Sequence, residues 1–308
     1  MNGKDWMAQG KIHTVHGREL FVVDTGANGA KPDTLVLLHG YPTSSHDFNL
    51  VLRDLAARFR VVVHDHLGFG YSEKPHDYSY ACHEQTDYAL ALWQHLGIES
   101  AHLVAHDYGT TIATELLARW NMGLRPITLR SITLSNGSVH IELARLRFIQ
   151  KLLRHRTLGP TVARLMSQRV FNRNMRKLWY DPETLPDAEL DLMWELLIRN
   201  GGREALPKIT SYLDDRFRFW HRWVNALKQS QLPLHFLWGA DDPITGREVA
   251  QLHHAEAEGS QLSLLDKVGH FPMLESPRQW TDALLAHLET VAPRPHAVRP
   301  RGDARTEA

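Results

Sequence analysis

The chain reads as an α/β protein whose largely parallel sheet is interrupted by a helical insert. Three observations predict this. Short apolar runs alternate with amphipathic stretches between residues 20 and 137. The alternation stops over 138–230, where each segment has helical periodicity. It returns from 232 to 291.

Each element follows from its residues. LFVVDTG (20–26) and TLVLLHG (34–40) are apolar runs closed by glycine, the pattern of buried strands. SSHDFNLVLRDLAARF (44–59) spaces its apolar residues as a helix does. RVVVHDH (60–66) predicts a strand and CHEQTDYALALWQHLG (82–97) a helix. SAHLVAHD (100–107) is a strand that runs into a helix, and ITLRSITLSNG (127–137) is the next strand. The insert includes LARLRFIQKLLRHR, PDAELDLMWELLIRNGG and RFWHRWVNALKQS. LPLHFLWGADD (232–242) and QLSLLDKVGH (261–270) then predict strands, and PRQWTDALLAHLETV (277–291) a closing helix. The expected organisation is a core of 1–137 and 231–292 with a helical cap of 138–230. Residues 293–308, rich in Pro, Arg and Ala, predict a disordered tail.

Composition narrows the function classes. The 308 residues are 43% hydrophobic and 23% charged, ordinary for a globular chain. Lys+Arg and Asp+Glu are both 35, so no basic field invites nucleic acid, and no polybasic segment is expected to meet a membrane surface. The single cysteine, Cys82, excludes an internal disulfide, fits a reducing compartment and reads as packing. The N-terminus has no apolar h-region, and no apolar run approaches the roughly 20 residues of a membrane span. A cytoplasmic protein is expected.

Four motifs fall at element boundaries. In LVAHDYGTTIATELL (103–117) a buried strand turns sharply into a helix at Ala105-His106-Asp107-Tyr108-Gly109. This is the spacing of a nucleophile elbow, with aspartate where serine is usual. The helix N-terminus behind it favours an anion. A plain N-cap aspartate would fit the same pattern. The loop His39-Gly40-Tyr41-Pro42 follows a strand, and such a loop supplies one backbone N–H of an oxyanion hole. The residue after the nucleophile supplies the other, so the amides of Tyr41 and Tyr108 are the candidates. WGADDPITG (238–246) offers Asp242 to orient a histidine, with Asp241 as fallback. DKVGHFPMLESP (266–277) offers His270 as general base. The chain order nucleophile, acid, histidine is that of α/β hydrolases.

With these residues in place, the chain resembles an α/β-hydrolase-fold enzyme of the branch with an aspartate nucleophile, which holds epoxide hydrolases and haloalkane dehalogenases. HDHLGFGYSEKP (64–75) matches that group's Gly-x-Gly-x-Ser loop. LLHGYPTSS, LGFGYSEKP, HDYG, LSNG and HRWVNAL are similar to the mesoderm-specific-transcript family and its bacterial relatives. The resemblance covers residues 18–291. It implies a mostly parallel eight-stranded sheet with helices on both faces, a helical cap and the triad Asp107, Asp242 and His270. It brings no settled substrate.

A carboxylate is already ionised at neutral pH and can displace a leaving group from sp3 carbon, forming an alkyl ester. Attack on a carboxylic ester would give an anhydride, which is uphill. The expectation is therefore a covalent ester at Asp107, hydrolysed by water that His270 activates, with no metal and no cofactor. A standard haloalkane dehalogenase carries tryptophan after the nucleophile and often asparagine in the His-Gly-x-Pro loop. Here Tyr108 and Tyr41 stand there, although Trp179, Trp194, Trp220 and Trp223 of the cap could substitute as donors. Tyr212 first, then Tyr180, are the expected cap donors to an epoxide oxygen. An epoxide hydrolase acting on small to medium apolar substrates is preferred, a dehalogenase comes second, and a non-catalytic receptor or scaffold third. His64 and His66 of HDH, and adjacent His253 and His254, lack the usual spacing of metal ligands.

Overall fold

In the computed structural model, residues 3–26 and 33–291 are described. The expected tail lies outside them. Eight strands form one sheet: β1 Lys11–Val15, β2 Arg18–Asp24, β3 Thr34–Leu38, β4 Arg60–His64, β5 Ser100–His106, β6 Thr128–Ser135, β7 Leu234–Gly239 and β8 Gln261–Leu265. Their order is β1-β2-β4-β3-β5-β6-β7-β8. β1 and β2 pair antiparallel with each other, and β2 pairs antiparallel with β4; all other pairs are parallel. The central strands β3, β5 and β7 are buried along nearly their whole length, which is why they read as continuous apolar runs.

The helices around the first half of the sheet are α1 Gly3–Gln9, α2 Leu52–Ala56, α3 Cys82–His95 and α4 Tyr108–Asn121. Between β6 and β7 come α5 Phe148–Arg154, α6 Gly159–Leu165, α7 Gln168–Arg176, α8 Asp187–Ile198, α9 Gly202–Ile209 and α10 Tyr212–Lys228. The chain closes with α11 Arg247–Glu256, α12 Pro272–Glu275 and α13 Pro277–Val291. No helix among the described residues is long and apolar enough to cross a membrane.

Two elements differ from the sequence reading. The seven strands visible as apolar runs gain an eighth, β1. It is joined to β2 by a tight hairpin at His16-Gly17, both with positive φ (48° and 77°). Its alternation is shallow because it is an edge strand with one fully buried residue, Val15. The helix expected over 44–59 is instead a 3-10 turn, Ser45–Phe48, followed by the short α2. Buried polar side chains hold that first turn tight. Asp47 accepts from Thr43 Oγ1, Asp65 accepts from the Ser45 N–H (2.7 Å), and the Ser44 side chain caps it.

α10 differs from the other helices of the insert. It lies along α4, and polar ties join the two. Arg222 and Trp223 donate to Glu115, and Asn121 donates to the Ala226 carbonyl. The helices α5–α9 rest over the carboxyl edge of the sheet, and they supply most of the roof of the cavity there.

Candidate active site

Asp107 stands between β5 and α4 with φ 41° and ψ −106°. A non-glycine residue in that region costs about 1–3 kcal/mol, so its surroundings must hold it there. They do. Its carbonyl accepts from the Thr110 N–H (3.1 Å), from Thr110 Oγ1 (2.6 Å) and from Arg216 Nη2 (2.9 Å). Close approach demands glycine on either side. A Cβ on Gly109 would lie 2.6 Å from the Leu38 carbonyl oxygen, and one on Gly40 would lie 2.7 Å from His106 Nδ1. The turn therefore projects the Asp107 carboxylate into the cavity under the cap helices, with the small residues allowing the close backbone approach.

The loop after β3 meets that carboxylate. The Tyr41 N–H donates to Asp107 Oδ2 at 3.0 Å. His39 fixes the loop: its Nε2 accepts from the His66 N–H (3.1 Å), so its Nδ1 carries the proton that goes to the Gly40 carbonyl (2.9 Å). Burial holds His39 below its ordinary pKa, so it stays neutral. Pro42 lines the cavity. Tyr108 begins α4 beside Asp107, and its ring packs away from the cavity against His66, Phe69 and Tyr212.

His270 approaches from the loop after β8. Its Nδ1 is 2.7 Å from Asp242 Oδ2, and its Nε2 is 3.9 Å from Asp107 Oδ2. Asp242 is fully committed: Oδ1 accepts from the Ile244 N–H (2.7 Å), and Oδ2 also accepts from Thr245 Oγ1 (2.7 Å) and Asn136 Nδ2 (2.9 Å). Asp241 is exposed and accepts from the Lys267 N–H instead (2.8 Å). Asp242, not the fallback, faces the histidine.

Electrostatics follow from this arrangement. Burial pushes the Asp107 carboxyl up, but His270, Arg216 and His106 outweigh it and bring it down to about 2. Burial pushes His270 down, but Asp242 and Asp107 outweigh it and raise it to about 10. Asp242 is held below the ordinary carboxylate value, with burial opposed chiefly by His270. At neutral pH the resting site is carboxylate, imidazolium, carboxylate.

Three neighbours were not found from sequence. Arg216 is buried, donates to Thr111 Oγ1 (2.8 Å) and lies 3.8 Å from Asp107 Oδ1. Asn136, at φ 45°, clasps Gly239 through both backbone groups and holds Asp242. His106 donates from Nε2 to the His270 carbonyl (2.8 Å), which seats the histidine loop. The LSNG and HDYG phrases contained the second and third. Nothing local marked Arg216, whose partners lie about a hundred residues away in the chain.

The cavity measures about 60 Å³. Its polar wall is Tyr41, Asp107, His270, Arg147, Gln150 and Asn174; the rest is apolar, including Leu153, Met166, Phe171 and Met175. The two expected cap tyrosines are not among the lining residues. Tyr180 is 48% exposed and turns outward. Tyr212 opens α10, the helix that lies on α4, and its ring is packed by Tyr41, Tyr108 and the Arg216 guanidinium. The cap tryptophans do not line the cavity either. Trp223 donates to Glu115, Trp179 stacks on Phe271, Trp194 packs under Arg203, and Trp220 packs on His221. Tyr41 lines the cavity, but its proton is directed elsewhere. Thr210 Oγ1 gives its own hydrogen to the Leu206 carbonyl, so it accepts from Tyr41 Oη (2.9 Å).

Among the described residues no three His, Cys, Asp or Glu side chains are grouped to hold a metal ion. His64, His66 and His253 are buried and held below the ordinary histidine value, chiefly by burial.

A family model described as the alpha/beta hydrolase fold matches residues 33–277. The chain belongs to that family. This α/β hydrolase is 36% identical over 293 residues to the mesoderm-specific transcript protein of Mus musculus, covering 92% of its own length and 87% of the relative's. It is 39% identical over 255 residues to LipZ of Mycobacterium tuberculosis, a protein named as a hydrolase, covering 83% and 88%. Haloalkane dehalogenase DbeA from Bradyrhizobium elkani superposes with a TM-score of 0.78 at 22% identity, covering 92% of this hydrolase and 98% of DbeA. Likeness at that identity speaks to the fold alone.

Proposed function

We propose that this α/β hydrolase forms a covalent alkyl ester on Asp107 and hydrolyses it, and that its substrate is an epoxide. The observation that carries the reading is geometric: the Asp107 carboxylate is set between the Tyr41 amide (3.0 Å) and His270 (3.9 Å), which is in turn bonded to Asp242 (2.7 Å).

The steps follow from the geometry. Asp107 Oδ2 is held by the Tyr41 N–H, so Oδ1 is the oxygen free to attack carbon. The epoxide C–O bond breaks and the oxygen takes up a proton. Esterification consumes the Asp107 charge, which removes one of the two anions that keep His270 protonated. His270 therefore gives up its proton to solvent in the same half-reaction while the epoxide oxygen takes its proton from water. The count closes with no net charge change, and a variant without His270 can still be alkylated. Neutral His270, oriented by Asp242, then takes a proton from water as the water attacks the ester carbonyl. The tetrahedral intermediate collapses with cleavage of the ester C–O bond, and the departing alkoxide takes the proton of the new carboxyl group. The diol leaves with Asp107 ionised and His270 protonated again. The Tyr41 amide already faces the oxygen that becomes the oxyanion, and the Tyr108 amide is the proposed second donor.

The leaving oxygen also needs a hydrogen-bond donor across the cavity. In place of the tyrosines we assign Gln150. Its Oε1 accepts from the Arg147 N–H (2.8 Å), which leaves its amide nitrogen as the donor. The halide reading loses support, since no tryptophan lines the cavity and Tyr108 turns away from it. The Gln150 amide could still hold a halide, so the adduct itself must decide. At about 60 Å³ the cavity has room for four or five waters at about 12–15 Å³ each, which fits a compact reacting group.

The test is intact mass of the His270→Gln variant after incubation with matched epoxides and haloalkanes. A gain of the whole substrate mass, absent in Asp107→Ala/His270→Gln, is expected. A gain of the substrate less hydrogen halide would make the protein a dehalogenase. No adduct from either panel in the folded variant would turn the reading toward a receptor or scaffold.

A further inference from the structure

The balanced net charge conceals a local excess. Residues 144–180 hold ten Lys and Arg and no Asp or Glu. Some are neutralised by contacts from elsewhere: Arg145 pairs with Glu248, Arg154 with Asp214 and Arg176 with Asp187. Arg147, Lys151, Arg173 and Lys177 form no ion pair among the described residues, and all four line one open groove of about 1000 Å³. The one carboxylate there, Glu142, is taken by His140 (2.6 Å). Phe148, Val170 and Phe217, 74%, 38% and 46% exposed, line the same groove.

This groove is not remote from the chemistry. Arg147 and Asn174 wall both the groove and the catalytic cavity. Beyond them the cavity lining is mainly apolar until the polar group around Asp107. The two spaces therefore adjoin: a cationic outer groove with apolar patches lies on one side of that wall, and on the other a mainly apolar lining leads to the Asp107 carboxylate. An anion placed in the cavity itself would be repelled by Asp107. An anion left in the groove is kept away from it and meets unpaired guanidinium and ammonium groups.

We propose that the substrate is an anionic amphiphile: an acidic head group sits among Arg147, Lys151, Arg173 and Lys177, and an apolar chain carries the reacting group to Asp107. The proposal rests on the alkyl-ester reading for the reacting end, but not for the head group, and its test needs no turnover.

The experiment measures binding of decanoate and decanol, below micelle formation, to the full-length protein by calorimetry, at low and high salt. The comparison variant is Arg173→Glu/Lys177→Glu, both positions being exposed, with its fold checked by circular dichroism. Decanoate is expected to bind about tenfold more tightly than decanol at low salt, with that advantage lost at high salt and in the variant. Equal binding of the two, or a decanoate advantage that the variant retains, would overturn the proposal. Sedimentation with vesicles of phosphatidylglycerol and phosphatidylcholine gives the remaining arm. Loss of vesicle binding in the variant with decanoate binding unchanged would mean that the cations face a membrane, not a substrate. If decanoate binds as expected while no epoxide or halide adduct forms, the head-group proposal stands and the reaction reading fails.

Discussion

The two walls of the cavity are built by different means. On the sheet edge, each reacting side chain is fixed by several bonds to neighbouring loops: three donors hold the Asp107 carbonyl, three hold Asp242, and His106 seats His270. On the cap side, short helices present apolar side chains and a few polar ones, and Gln150 is held by one backbone donor. On the proposed reading, the difference assigns the chemistry to the multiply bonded edge and the choice of substrate to the cap. It also predicts that damage to the edge is severe and damage to the cap graded.

The largest effect is expected at the proposed nucleophile. Asp107→Asn should lower turnover by about four orders of magnitude or more, as loss of a triad member does. It should also change His270. The wild-type imidazolium, held at about 10 against an ordinary 6.5, stabilises the fold fully below pH 6.5, and the contribution is lost as pH rises through about 10. Removing the Asp107 charge lowers the folded value, so that window must close from its upper end. NMR titration of the His270 ring would show it. An unchanged midpoint would mean that Asp242 alone sets the histidine, and that esterification does not prepare it as a base.

A smaller loss is expected where the edge depends on α10. Arg216→Met removes one of the two cations beside a buried carboxylate, His270 being the other, and removes donors to Thr111 and the Asp107 carbonyl. Because His270 still compensates the charge, the cost should fall below the roughly 3–5 kcal/mol of a fully broken buried pair, and denaturant unfolding would register it. Because Arg216 helps to depress the Asp107 carboxyl, the acid limb of the alkylation rate should move up from near pH 2. Stability lost with that limb unmoved would leave Arg216 as packing between α10 and α4.

The same contrast explains what could be read from the chain alone. The core strands are buried on both faces, so they announce themselves as apolar runs, and the proposed triad sits where those runs stop. Asp107 and His270 were each singled out from one turn of sequence, and the structure brings the two side chains within 3.9 Å of each other. β1 escaped because an edge strand buries little. Arg216 escaped because its meaning lies in contacts across the fold. The cap escaped for a further reason. An aromatic residue in a helical stretch has no sequence mark for which side of the helix meets the cavity. Tyr212 was chosen by spacing, yet it opens the helix that leaves the roof and lies on α4. The basic run of 144–180 was hidden by a net charge of zero, which averages over acids far from the groove.

The cap therefore offers the finest test, a pair of conservative changes. Tyr212→Phe removes a hydroxyl that does not line the cavity and keeps the ring that Tyr41, Tyr108 and Arg216 pack against. The alkylation rate should stay within about twofold of wild type, an effect below about half a kcal/mol. Gln150→Leu keeps the volume and removes the proposed donor to the leaving oxygen. Single-turnover alkylation should slow by about tenfold to a hundredfold, short of the roughly 10²–10³ of a dedicated oxyanion donor, because Gln150 is held by a single bond. Hydrolysis of a preformed ester should not change, since that step uses the edge wall alone. The reverse pattern, a slow Tyr212→Phe beside an unaffected Gln150→Leu, would require the cap to close differently around a substrate and would return the donor's role to the tyrosine. Slowing of both half-reactions in Gln150→Leu would mean that the amide supports the loop and not the leaving group, and the line between an edge that reacts and a cap that selects would have to be redrawn.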